Sequence, residues 1–120
     1  MTIPRRPEQA IHRAVINHLH VRCVAGAVFW HTPSGGYRRP IEAAIMKGLG
    51  ARSGFPDLFI LHESRLYGLE LKAEKGRLSL AQITTRVELE RAGAIMGAAY
   101  GIDEALAWLE QHKLLRGTAR

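Results

Sequence analysis

The apolar positions along the chain follow two periods. Ile11, Ala14, Val15 and Leu19 recur three and four residues apart, which predicts a helix with one buried stripe. Pro4 and Pro7 open it, where proline is tolerated because the first N–H groups lack helical partners. Ala25 to His31 is a short apolar and aromatic run and predicts the first strand. The stretch TPSGGYRRP that follows reads as a loop from its Pro, Ser and Gly content. Ile41 to Leu49 returns to helical spacing through Ile41, Ala44, Ile45 and Leu49. Two further runs, Leu58 to Leu61 and Leu66 to Lys72, are joined by the short polar link His62 to Arg65 and predict a β-hairpin.

Beyond the hairpin, Lys75-Gly76-Arg77 reads as a turn, and Ser79 with Gln82 three residues later fits a capping box. The helix it opens extends to about Arg91, with Leu80, Ile83, Thr84 and Val87 as its apolar face, and Gly93 ends it. Ala94 to Tyr100 predicts a strand. Asp103 then caps a last helix with Ala105, Leu106 and Leu109 inward, and the basic tail after Lys113 is expected to fray. The order is α, β, α, β, β, α, β, α. A hairpin followed by a β-α-β crossover makes an α/β fold: a mixed four-stranded sheet with helices on both faces. No repeat or linker divides the 120 residues, so residues 1–120 are expected to form one domain.

Composition narrows the function. No apolar run approaches the ~20 residues of a membrane span. The basic N-terminal residues precede no apolar stretch, so no secretory signal is expected. A single cysteine excludes an intramolecular disulfide and suits a reducing compartment, so a cytoplasmic location is expected. The net charge is +6, and 13 of the 17 basic residues are arginine. Arginine's fixed fork of donors matches phosphate, which favours nucleic acid over a membrane surface. The glycines of GLGARSGFP form neither GxGxxG after a strand nor GxxxxGK[ST], so no nucleotide cofactor is expected. The six histidines show no metal-binding spacing and read as scattered surface or core residues.

The hairpin carries the chemistry. Side chains alternate along a strand, so Glu70 and Lys72 share a face, roughly 6.6 Å apart at ~3.3 Å per residue. Asp57, at the entry to the neighbouring strand, lies close to that face. Two carboxylates and an ammonium thus meet in a sheet that otherwise reads as core, which is costly unless they are paired or bind a metal. Taken singly, each has a plainer reading: Asp57 as a turn cap, Glu70 and Lys72 as a surface pair, Gln82 as a capping partner. Glu74 continues the same face but lies near the turn and reads as solvated.

The combination resembles the VRR-NUC family (virus-type replication-repair nucleases) of the PD-(D/E)XK superfamily. The residues that carry the likeness are Glu8 in the first helix, the GG-Y-R loop, and G-x-x-x-G-x-P-D-L from Gly50 to Leu58. G-L-E-L-K from Gly68 to Lys72 and G-R-L-S-x-x-Q from Gly76 to Gln82 complete it. The resemblance implies a restriction-endonuclease-like core and a Mg²⁺- or Mn²⁺-dependent endodeoxyribonuclease. Asp57 and Glu70 would hold the metal with the carbonyl of Leu71, and Glu8 would complete the site directly or through water. Lys72 would position the attacking water, and Gln82 would orient the site or contact phosphate. Arg38, Arg39, Arg52, Lys75 and Arg77 are candidates for DNA backbone contacts, with Tyr37 beside the first two. The short stand-alone members suggest a homodimer resembling a Holliday-junction resolvase and acting on four-way junctions, with Ile41, Ile45 and Leu49 as its interface. The alternatives are a non-cleaving DNA-binding module on the same fold, and a general or RNA-directed nuclease.

Overall fold

The computed structural model describes residues 7–32 and 39–117. The helix α1 (Pro7–Arg22) leads to β1 (Val28–His31), then α2 (Pro40–Gly48). The hairpin β2 (Leu58–His62) and β3 (Arg65–Lys72) is followed by α3 (Leu80–Arg91), β4 (Ile95–Tyr100) and α4 (Ile102–Gln111). The expected order holds throughout. The first strand is shorter than its apolar run, because Gly26 turns the chain at a positive φ of 86° and the ladder starts at Val28.

The sheet order is β1-β2-β3-β4, with β1-β2 and β2-β3 antiparallel and β3-β4 parallel. Glu63 and Ser64 both take positive φ, 51° and 65°, as a two-residue hairpin turn of the primed kind demands. This fixes the register at His62 opposite Arg65 and Leu58 opposite Leu69. One face of the sheet then presents Leu58, Ile60, Tyr67, Leu69, Leu71 and Ala99, all buried. They pack against Ile11, Val15 and Leu19 of α1 and Ala105 and Leu109 of α4 in one core.

The opposite face carries Phe59, Gly68, Glu70 and Met96, and α3 lies across its β3-β4 half. There the expected apolar face of α3 is overturned. Leu80, Ile83, Thr84 and Val87 point outward, and the buried residue of the helix is Thr85. The reason is tertiary. Thr85 Oγ1 donates to the Ser53 carbonyl at 3.1 Å, and Gly54 comes so close to the Ala81 carbonyl that no side chain fits between. The helix is therefore seated on the glycine turn before Pro56 by its polar side. The β1-β2 half of this face leaves Val28, Trp30 and Leu61 exposed.

Three smaller expectations are corrected. The turn after β3 closes at Ala73–Gly76, through a 2.8 Å bond from the Gly76 N–H to the Ala73 carbonyl. The cap of α4 is Gly101, not Asp103, which lies inside the first turn; Glu104 instead accepts from the Tyr100 N–H at 2.9 Å. The chain after Lys113 does not fray at once. Leu114 and Leu115 are buried, Leu115 bridges to Cys23, and the Arg116 N–H reaches the Arg22 carbonyl at 2.7 Å. No helix among the described residues is long and apolar enough to cross a membrane.

Candidate active site

The register places Asp57 one step before the Leu58–Leu69 pair, beside Glu70. Its Oδ2 accepts the Leu71 N–H at 2.8 Å, so the side chain takes over where the β2-β3 ladder stops. A strand residue points its N–H and C=O toward the same neighbouring strand. The Leu71 carbonyl therefore lies on the Asp57 edge, past the last pair of the ladder. The next carbonyl, of Lys72, points the other way and accepts from Gly101 at 2.9 Å.

Glu70 is only 7% exposed. Burial pushes its pKa up to about 9, a hydrogen bond and repulsion from Asp57 add to the rise, and Glu8 contributes last. Lys72 pulls the other way without prevailing. At neutral pH Glu70 therefore keeps its proton in the metal-free site, as a carboxyl buried beside a like charge does. Lys72, with a side chain 13% exposed, approaches Glu8 with Nζ to Oε2 at 3.9 Å. Glu8 is half-exposed and stands at the rim, against Lys72.

Gln82 is held by the capping box it was expected to form. Its Oε1 accepts from the Ser79 N–H at 2.8 Å, and its own N–H reaches Ser79 Oγ at 3.1 Å. This leaves the amide NH₂ free to donate within a narrow cleft that Gln82 lines with Glu70, Pro56 and Met96. Arg86, one turn further along α3, lines the same cleft and was missed in the sequence. Its position four residues after Gln82 was the available signal.

The site tests well for a hard divalent cation. Two adjacent carboxylates hold a proton that such an ion can replace, and a backbone carbonyl lies on the same edge. Among the described residues no three His, Cys, Asp or Glu side chains gather as a metal cage. Two carboxylates suit Mg²⁺, which keeps several waters and takes one or two carboxylates.

The remaining candidates are placed unevenly. Tyr37 and Arg38 lie outside the described residues. Arg39 precedes α2 and pairs with Glu42 at 3.0 Å, and Arg52 pairs with Glu88 while lying over the Phe55 ring. Lys75 and Arg77 are exposed on the segment leaving β3. The histidines are not all scattered. His12 and His31 meet edge to face at 4.4 Å, and His31 Nδ1 lies 3.2 Å from the Asp57 carbonyl oxygen. Burial, then His31, holds the His12 pKa below its ordinary value, while Asp57 acts against the shift. The signal for His12 was its position one turn after Glu8; His31 gave none beyond ending a strand.

Comparison with solved structures places this arrangement in a known fold. One structure described as a VRR_NUC domain protein superposes with a TM-score of 0.75 at 23% identity, over 94% of this chain and 93% of that one. The fold is that of the VRR_NUC domain. A second structure, described as a VRR_NUC domain, gives a TM-score of 0.61 at 15% identity, over 90% of this chain and 98% of that one. No family model matches the sequence, and no curated protein matches it. The restriction-endonuclease-like core implied by the PD and ExK residues is thus present, with a mixed four-stranded sheet and helices on both faces.

Proposed function

We propose that this protein is a Mg²⁺- or Mn²⁺-dependent endonuclease that hydrolyses phosphodiester bonds in DNA. The observation that carries the reading is the convergence of Asp57, buried Glu70 and the Leu71 carbonyl edge, with Lys72 on the next turnward position, in a VRR_NUC fold. Asp57 and Glu70 would hold the cation with the Leu71 carbonyl. When bound, the metal makes a water acidic and offsets charge on the phosphate. Lys72 orients the attacking water and faces the charge that develops on phosphorus-bound oxygen. Glu8 holds Lys72 from the rim. The free amide of Gln82 donates to phosphate from the first turn of α3, where unpaired N–H groups also favour an anion.

The finer reading is a homodimer that nicks opposing strands of a four-way junction, since one such site cuts one strand and two-fold symmetry supplies the second. Its support is α2, in which no residue is buried: Ile41 and Ile45 are 65% and 58% exposed, and Leu49 just after the helix is 79% exposed. The deciding experiment incubates the protein with plasmid, duplex, single strands and four-way junctions, with Mg²⁺, with Ca²⁺ and with chelator. Mg²⁺-dependent cutting that Asp57→Asn abolishes is expected. Undiminished cutting after exhaustive chelation would remove the metal mechanism. Binding without cutting under any divalent ion would leave a DNA-binding module. Light scattering tests the dimer, and a monomer that cuts duplex as fast as a junction would overturn the resolvase reading.

A further inference from the structure

Two openings flank the Asp57–Glu70 edge, and they differ in capacity. The cleft beside Glu70 has a volume of about 10 Å³, the room of about one water. The cavity on the α1 side has about 550 Å³, and Asp57 and Leu71 both line it, so it opens onto the proposed metal ligands. A strand whose scissile phosphate rests at Asp57 and Glu70 has to continue past one of these sides, and only the larger has room for a nucleotide.

The lining of the larger cavity suits that occupant. Gln9, His12 and Arg13 enter it from α1, and His31 from the end of β1. These are donors able to meet phosphate oxygens. Two acids line it as well: Asp57, whose Oδ2 accepts the Leu71 N–H, and Glu8, which faces Lys72 Nζ at 3.9 Å. Ala73 gives a small apolar wall, and Leu71, whose side chain is buried in the core, brings its backbone to the cavity. His31 directs Nδ1 at the Asp57 carbonyl oxygen and sets its ring edge to face with His12. The imidazole of His12 is therefore fixed by a residue that is itself anchored beside Asp57.

We propose that this cavity is the subsite for the nucleotide next to the cut bond, with His12 and Arg13 holding its phosphate and His31 positioning the His12 ring. The inference rests on the nuclease reading for which bond is cut, but the binding it describes can be measured without cleavage. The test uses Ca²⁺ and fluorescence anisotropy, with a single neutral methylphosphonate moved linkage by linkage through a four-way junction and through the duplex of its arms.

Wild-type protein is expected to lose about tenfold in affinity when the linkage beside the cut is neutral, and little at more distant ones. His12→Ala should weaken binding of the unmodified DNA by a similar factor and then be insensitive to the same methylphosphonate. Arg13→Gln, at an exposed position that tolerates change, gives the same coupling if His12→Ala does not fold. His31→Ala should raise KM with little change in kcat, and His31→Phe, which keeps a ring edge against His12, should restore most of the loss. Equal methylphosphonate penalties in wild type and variants at every linkage would overturn the subsite. Coupling at one linkage in Ca²⁺ without any cutting in Mg²⁺ would sustain phosphate binding by His12 and Arg13 in this cavity and defeat the nuclease reading, whereas cutting without coupling would do the reverse.

Discussion

Alternate residues of β3 serve opposite purposes. Leu69 and Leu71 are buried among the side chains of α1 and α4, in a core without a charged group. Gly68, Glu70 and Lys72 look to the other face, where α3 arrives with Gln82, Thr85 and Arg86 rather than with Leu80 and Ile83. The first face excludes water in order to hold the chain together. The second excludes water around a carboxylate, which costs stability and leaves a proton where a metal can go. One strand can do both because its side chains alternate, and the dry face keeps the other in register.

The largest expected contrast is between Glu70→Gln and Leu69→Ala. Glu70→Gln or Asp57→Asn should lower cleavage by roughly a thousandfold or more, since each would remove a ligand of the cation in the proposed mechanism, while the protein stays folded. Leu69→Ala should cost about 2–5 kcal/mol through the cavity it leaves, and so lower the melting temperature by ~3–6 °C for each kcal/mol in a chain of this length. An active Glu70→Gln, or an unchanged melting point in Leu69→Ala, would break the division between the faces.

The next contrast is in pH. Glu70 titrates at about 9 when folded against an ordinary value of 4.5. Between these values the folded chain binds a proton that the unfolded chain has released. Stability of the metal-free protein should therefore fall as pH rises from about 5 to 9, with no further change from this group outside that window. Melting curves at several pH values read this directly, and Glu70→Gln should flatten the slope. Titrating Mg²⁺ into the protein at neutral pH should release protons in buffers of different ionisation enthalpy. A Glu70→Gln slope equal to that of wild type would place the buried proton elsewhere.

Smaller effects sharpen the picture of α3. Ser79→Ala should cost about 1 kcal/mol by removing the cap on the Gln82 N–H, with a loss of activity well below that of Asp57→Asn. Smallest of all, Leu80→Gln and Ile83→Gln should each change stability by no more than about 0.5 kcal/mol, because both side chains already face outward. Losses of several kcal/mol at those two positions, measured by denaturant unfolding, would mean that something covers this side of α3.

The sequence by itself determined what depends on near neighbours. The order of the eight elements, the hairpin, the Ser79–Gln82 capping box and the shared face of Glu70 and Lys72 all follow from periods and contacts within a few residues. Asp57 was legible with them because a hairpin with a two-residue turn fixes its own register, and so brings the start of β2 to the end of β3. The tertiary structure decided what depends on segments far apart in the chain. Apolar residues on α3 suggest a buried face, but the glycine turn before Pro56 accepts only the polar side of that helix. Leu114 and Leu115 have no periodic neighbours to announce them, yet Cys23 and Arg22 hold that segment in the core. His12 and His31 are 19 positions apart on a helix and a strand, and no local pattern marks their meeting beside Asp57. The depth of Glu70, and with it the raised pKa, was likewise set only when α3, Asp57 and the sheet closed around it, since alternation tells which way a side chain points but not how much water reaches it.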